Sequence, residues 1–307
     1  MKMYANLHTH STHSDGVYTP EELVLMAKAE GYGALAVTDH DVVSANEEVK
    51  YFCEKNGMEH IFGAEFTAGN YHIVALDFDP EHPEMKEYLR QMGLRETEQT
   101  RIVFGWAVEK GNITGITWEE VLEYNKGIVW LCNDHVFRAM KAKGLVTDLD
   151  YIDFFNTNFL RQRSMVPPAY PFKSPEEMIS LINEAGGIAI LAHPSFKHMQ
   201  DIDKLIAMGL KGIEVFHPDM EPEEQKLAMK LAYEKNLFIA GGTDHSGMCG
   251  GMYLSFEKPE DAGDFYLKPQ AFGTMEQHFR ELKNRSLAGR KAAPAYSFRR
   301  GKWEERE

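Results

Sequence analysis

Seven short runs rich in apolar and β-forming residues recur along the chain: "YANLHTH" from residue 4, "ALAVTDH" from 34, "IFGAEFT" from 61, "YHIVALDF" from 71, "GIAILAHP" from 187, "GIEVFHP" from 212 and "LFIAGGTDH" from 237. Several are continuously apolar, the pattern of strands covered on both faces. Most are followed by loop and helix signals. Thr19-Pro20-Glu21-Glu22 offers a capping hydroxyl, a proline at the first helical position and a glutamate three residues after the cap, with Gly31 as the stop. Ser174-Pro175-Glu176-Glu177 repeats the device, ending at Gly186 and Gly187. Strands alternating with helices predict an α/β architecture, a wound parallel sheet or a (β/α) barrel.

The rhythm breaks between about Glu81 and Pro171, where long charged amphipathic stretches such as "RETEQTRIVFGWAVEKG" carry no strand signal. The expected organisation is a barrel made of residues 1–80 and 172–284, a helical insertion over 81–171 that caps the substrate, and a solvated tail over 285–307. "VPPAYP" reads as a rigid extended return to the barrel. With 43% apolar residues, 307 residues can bury a sizeable core.

A formal net charge of −14 repels a polyphosphate backbone and favours small substrates over a nucleic-acid polymer. Bound divalent cations reverse that field locally, so a small phosphorylated metabolite remains compatible with it. Cys53, Cys132 and Cys249 form no C-x-x-C pair, and all three are expected to be buried or incidental. No apolar run is long enough to span a bilayer and no secretory signal is evident, which leads to the expectation of a cytoplasmic protein without membrane contact.

The histidines carry the chemistry. His8 and His10 end the first run, Asp39 and His40 the second, and Glu65, His193, His217, Asp244 and His245 lie at or near the ends of later ones; His72 begins its own. Alternate side chains of a strand face the same way, so the H-x-H of His8 and His10 can reach one metal ion. In (β/α) barrels the C-terminal rim of the strands is where active sites are built, which would gather these scattered residues into one pocket. Buried ionisable groups are costly unless paired or metal-bound, so the concentration of imidazoles and acids points to metal.

The stretch "HTHSTHSDGVYTPEELVLMAKAEGYGALAVTDHDVVSA" resembles the opening of the PHP family, named for polymerase and histidinol phosphatase. The resemblance continues through "GAEFTAGNYHIVAL", "NDHVFRAMKAKGLV", "AYPFKSPEEMISLINEAGGIAILAHP", "GIEVFHPDM" and "LFIAGGTD", covering most of residues 4–245. It is closest to the stand-alone metal-dependent phosphoesterases of that family. The resemblance implies a distorted seven-stranded barrel holding two or three divalent ions, with manganese, iron or zinc suited to the ligand types. His8, His10, Glu65 and Asp244 would bind the first; Glu65 would bridge to a second held by His72 and His193; Asp15 and His40 would bind a third. The family ends its last motif with Asp-x-His, whereas this chain has Asp244-His245-Ser246. Either a local bulge turns His245 inward as a further ligand, or the third ion is weak or absent.

His135 and Arg138, at i and i+3 on an expected helix and matching the family's "RPHIARAL", are candidates for holding substrate phosphate, as is His217 at the rim. Asp39 is expected to orient a ligand rather than bind metal. His60, His82 and His278 are assigned to the surface. Ions sharing Glu65 would lower the pKa of a bound water towards about 7, giving a metal-bound hydroxide that attacks phosphorus, with Glu65, His193 and Asp244 as the catalytic set. The expected activity is hydrolysis of a phosphate ester of a small metabolite, a nucleotide or sugar phosphate. A cyclic phosphodiesterase, a proofreading-type nuclease and an inactive metal-binding scaffold are the alternatives.

Overall fold

The computed structural model describes residues 3–245, 272–287, 296–299 and 302–305. Every one of the seven apolar runs contains a strand: β1 (Ala5–Asn6), β2 (Ala34–Leu35), β4 (Gly63–Ala68), β5 (Tyr71–Leu76), β6 (Ile188–Leu191), β7 (Gly212–Glu214) and β8 (Phe238–Ala240). An additional short strand, β3 (Glu59–His60), pairs with β2. The helix from Pro20 to Glu30 starts with the capping box of Thr19 and Glu22 and ends at Gly31 in the left-handed conformation, φ 90°. Ser174 and Glu177 form the same box for the helix Pro175–Glu184.

The protein has an α/β fold, but among the described residues the ladders do not close into the seven-stranded barrel expected from the sequence. Strands β1 to β8 form two sheets, β1-β2-β3 and β4-β5-β6-β7-β8. Isolated bridges Thr9↔His245, His40↔Glu65 and Ala5↔Thr274 link the sheet margins. The ladders stop where the histidine-bearing segments begin, for a local reason. Asp41 (φ 53°) and Asp244 (φ 51°) interrupt the extended backbone, and the N–H groups of Ser11 and Thr67 donate to the carboxylates of Asp39 and Asp41, at 2.7 and 3.1 Å.

A second departure decides the site's composition. β5 runs antiparallel to β4 and β6, joined to β4 by the two-residue Gly69-Asn70 hairpin loop with Gly69 at φ 63°. Side chains along β5 alternate: Ile73 and Ala75 join one apolar cluster with Phe66 and Leu191, while Val74 and Leu76 join another with Leu7 and Phe279. The sheet is therefore covered on both faces. A fully buried side chain such as Phe66 contributes on the order of 2 kcal/mol relative to exposure.

The segment after β5 opens with a 27-residue helix, Pro83–Glu109. With the helices Trp118–Tyr124, Asn133–Ala142 and Tyr151–Asn158 it surrounds its own apolar cluster, which includes Val103, Phe137, Phe154 and Phe159. In the tail, β9 (Tyr296–Arg299) pairs antiparallel with β10 (Lys302–Glu305), where aromatic residues favour extended backbone. His278, expected at the surface, is buried on the helix Glu276–Lys283 with Nδ1 3.0 Å from Glu281. Cys53 and Cys132 are buried free thiols; Cys249 lies outside the described residues. No helix among those residues is long and apolar enough to cross a membrane.

Candidate metal centre

Glu65, in the middle of β4 and fully buried, is the hub. One carboxylate oxygen, Oε2, is 3.3 Å from His8 Nε2, 3.5 Å from His10 Nε2 and 3.1 Å from His40 Nδ1. The other, Oε1, is 3.0 Å from both His72 Nδ1 and His193 Nε2. Asp244 closes the group, with Oδ1 2.8 Å from His10 Nε2 and 3.5 Å from His8 Nε2. Ligand atoms of His8, His10, Glu65 and Asp244 all lie within 4.8 Å of one another. Two further groups, His40-Glu65-His72 and His10-Asp15-His40, meet the same limit. His8 Nε2, both ring nitrogens of His10 and Glu65 Oε2 are buried without a hydrogen-bond partner. Buried polar atoms are normally satisfied, and convergent imidazole and carboxylate lone pairs are a ligand set for a divalent transition ion. The donor set fits such ions.

The antiparallel course of β5 explains why His72 belongs. Its register partner is Thr67, two residues past Glu65, so the start of β5 lies beside the end of β4. Two members hold left-handed backbone, His193 at φ 27° and Asp244 at φ 51°. Such conformations cost about 1–3 kcal/mol and cluster at functional sites. Gly242 passes directly beneath His8, where a Cβ would overlap the His8 backbone.

Burial would push the Glu65 carboxyl upward, but His8, His40 and His72 and the bond from His193 hold it well below the usual carboxylate range. Asp244 is likewise held low, against its burial, by His8, His10 and His217. In return, and against the same desolvation, Glu214, Glu65 and Asp244 raise His8 well above its ordinary value. His10 is raised to about 9 by Asp15, Asp244 and Glu65 despite its burial. The carboxylates are held in the ionised form by the imidazoles that face them.

The PHP domain profile matches residues 6–163. The chain belongs to the PHP family. With that family it belongs to the hydrolases acting on phosphoric ester bonds. A 5'-3' exoribonuclease of Haemophilus influenzae is 32% identical over 263 residues, 81% of this chain and 92% of the relative. A phosphoribosyl 1,2-cyclic phosphate 1,2-diphosphodiesterase of Eggerthella lenta is 26% identical, over 84% of this chain and all (100%) of the relative. A 3',5'-nucleoside bisphosphate phosphatase of Chromobacterium violaceum is 27% identical, over 78% and 86%. A crystal structure from Bifidobacterium adolescentis, assigned as a metal-dependent phosphoesterase, shares the fold with a TM-score of 0.71 at 23% identity, covering 94% of this chain and 98% of that one.

Within this PHP chain the structure brings His8, His10, Asp15, His40, Glu65, His72, His193 and Asp244 together. His217, read from sequence as a phosphate contact, is gathered too: its Nε2 is 3.5 Å from Asp244 Oδ2, and it groups with His8 and Glu214. His245 belongs to none of these groups; its buried ring stacks on Tyr18 at 5.4 Å. Asp244, in left-handed backbone, turns to the cluster, while the His245 ring lies against Tyr18. Ser246 lies outside the described residues.

His135 and Arg138 are placed differently from their expected role at substrate phosphate. His135 is buried, its Nε2 3.1 Å from the Thr12 carbonyl and its Nδ1 accepting from Cys132 N–H at 3.0 Å. Arg138 donates to the carbonyls of Thr12 (3.4 Å), Ser14 (3.2 Å) and Gly16. Both hold the loop that carries Asp15. Asp39 serves the same loop, accepting from Ser11 Oγ at 2.7 Å and Ser14 Oγ at 2.5 Å.

Sequence reasoning missed Glu214. At the end of β7 and fully buried, it accepts His8 Nδ1–H at 3.0 Å and His193 N–H at 2.7 Å. Holding Nδ1–H there points the Nε2 lone pair of His8 into the cluster. The available signal was an acid embedded in the apolar run "GIEVF".

Proposed function

We propose that this protein hydrolyses a phosphate ester of a small phosphorylated metabolite, a nucleotide or sugar phosphate, at the Glu65 cluster. The observation that carries the reading is the convergence of His8, His10, Glu65 and Asp244 ligand atoms within 4.8 Å, inside a family of phosphoesterases. His8, His10, Glu65 and Asp244 would hold one ion, Glu65 with His72 and His193 a second, and Asp15 with His40 and His10 a third. Divalent manganese, iron or zinc supplies Lewis acidity there, polarising phosphoryl oxygens and making a water acidic enough to ionise near neutral pH.

The chain's own part is to build and orient that site. Glu65 shares its two oxygens among five imidazoles, which fixes the spacing of the cluster. Glu214 orients His8 and the backbone of His193. Asp15 is brought to the cluster by a loop that Arg138, His135 and Asp39 hold from behind. The insertion over 81–171 acts as the cap that shapes the substrate pocket. In a strongly acidic protein, cations at this spot provide the local attraction for phosphate.

A second reading, hydrolysis at the end of a ribonucleotide chain, is favoured by the 32% identity to an exoribonuclease. A panel of nucleoside monophosphates, nucleoside bisphosphates, cyclic ribose phosphates and 5'-phosphorylated oligoribonucleotides, assayed with manganese, separates the two. Glu65→Ala and Asp244→Ala are expected to abolish phosphate release from whichever substrate is used and to lower bound metal by elemental analysis. Full activity in either variant refutes the assignment.

A further inference from the structure

The histidines of the cluster are not all supported in the same way. His8 gives its Nδ1–H to Glu214, the backbone N–H of His193 donates to the same acid, and His72 lies within the β5 ladder. His40 follows β2 and is joined to Glu65 by an isolated bridge. Both of its ring nitrogens face carboxylates of the cluster, Nδ1 at 3.1 Å from Glu65 Oε2 and Nε2 at 3.8 Å from Asp15 Oδ2. That leaves no nitrogen for an orienting acid behind the ring, the device that serves His8. Rings surround it instead: His10 at 4.4 Å and Trp130 at 6.3 Å between centroids, each inclined by 29° to His40, and His72 edge-on at 5.6 Å. Two of these rings belong to the cluster. Trp130 belongs to the insertion.

Trp130 is itself firmly placed. It is buried and packs with Cys132 and with Val42, two residues past His40. Gly93, on the helix Pro83–Glu109, faces the residue before it: a Cβ there would lie 2.6 Å from the Val129 carbonyl oxygen, so only glycine permits the approach. One turn further along the helix, the Thr97 hydroxyl accepts Leu131 N–H at 3.1 Å and donates to the Val129 carbonyl at 3.4 Å. The residues on both sides of Trp130 are thus tied to one face of that helix. The loop that carries Asp15 hangs on the insertion as well, through His135 and Arg138. Glu214, which serves His8 and His193, comes by contrast from β7.

We propose that Trp130 is a positioning residue for His40, and that the insertion thereby governs binding of the ion assigned to His10, Asp15 and His40 while leaving the other two to the sheets. An imidazole donates its lone pair in the plane of the ring, so a ligand histidine must be fixed in rotation as well as in place. The outer torsion of a histidine is intrinsically broad, and a hydrogen bond behind the ring is the usual means of fixing it. His40 has an indole stacked on it instead, an arrangement that aromatic rings favour. The inference rests on the reading of the cluster as a metal centre and adds to it the part of the chain that sets how many ions the centre holds.

The test compares wild type, W130L, which removes the ring, W130F, which keeps one, and W118F, a tryptophan replaced within the insertion's own apolar cluster. G93A is added because it displaces the Val129 backbone without altering a side chain at the centre; it carries the comparison if W130L does not fold. Each protein is stripped of metal, checked for folding in urea, and titrated with manganese, with heat and the free-ion paramagnetic resonance signal giving the number and affinity of bound ions. W130L is expected to bind one equivalent about tenfold or more weakly than wild type, the scale found for partners of metal-bound histidines, with the other equivalents within about twofold. G93A follows W130L, W130F stays within about threefold of wild type because a stacked ring remains, and W118F matches wild type. Unchanged binding in folded W130L or folded G93A overturns the inference. So do equal weakening of every equivalent, a loss in W130F as large as in W130L, or a wild type that binds one or two ions, results that leave the metal-centre reading standing. A wild type that binds no manganese overturns both.

Discussion

Replacing Glu214 with glutamine tests whether the residues behind the cluster tune it. The carboxylate lies 3.0 and 3.2 Å from His8 Nδ1 through its two oxygens and accepts His193 N–H at 2.7 Å. Glutamine keeps the volume but has one acceptor oxygen, so one of these donors loses its partner and His8 loses the negative charge that makes its Nε2 a stronger donor. A bond to a charged group contributes about 1.5–3 kcal/mol. At about 1.4 kcal/mol per tenfold, that corresponds to about 10- to 100-fold, the range seen for partners of metal-bound histidines. The expected outcome is an E214Q protein that folds, binds manganese about 10- to 100-fold more weakly in titrations of metal-stripped protein, and regains activity when manganese is raised in proportion. Affinity within about twofold of wild type, in a folded E214Q, would show that His8 is oriented without Glu214 and refute the reasoning.

Two further outcomes are expected. Arg138→Ala lowers stability to urea rather than acting chiefly on substrate affinity, because the carbonyls of Ser14 and Gly16 lose their donor while that of Thr12 keeps His135, at about 1–3 kcal/mol for each one left buried and unpaired; intact stability with a raised KM would restore the substrate role. His60 is held down to about 4 by burial and then by Lys50 and Lys283, below its unfolded value of about 6.5. Between those values the unfolded chain takes up a proton that the folded chain refuses, so stability falls as pH drops through this window, by up to about 1.4 kcal/mol per unit. His60→Gln should flatten the pH dependence of Tm there, and a profile superimposable on wild type would contradict it.

Much of the fold was readable because its signals are local. The capping boxes at Thr19 and Ser174 need only residues three apart, and each apolar run shows its strand through its own composition. The histidines and acids of the cluster stood out for a related reason, since polar side chains at the ends of apolar strands have few places to go except a shared pocket. Glu214 escaped because an acid inside an apolar run has no local signature that separates a ligand-orienting carboxylate from any other. Arg138, expected at substrate phosphate, holds backbone carbonyls instead, because only packing decides what a guanidinium on a charged helix meets.

By itself, then, the sequence determined the alternation of strands and helices, the residue types of the centre and the family, all of which follow from short-range pattern and composition. The tertiary structure alone decided that β5 runs antiparallel and so brings His72 to Glu65, and that Asp244 turns inward while His245 turns towards Tyr18. It also decided that the ladders end in two sheets at the margins where the cluster sits. The Asp244 and His245 placements depend on contacts between opposite ends of the chain, and even the Glu65–His72 contact, made across a short hairpin, takes its role only from the remote imidazoles that converge on Glu65.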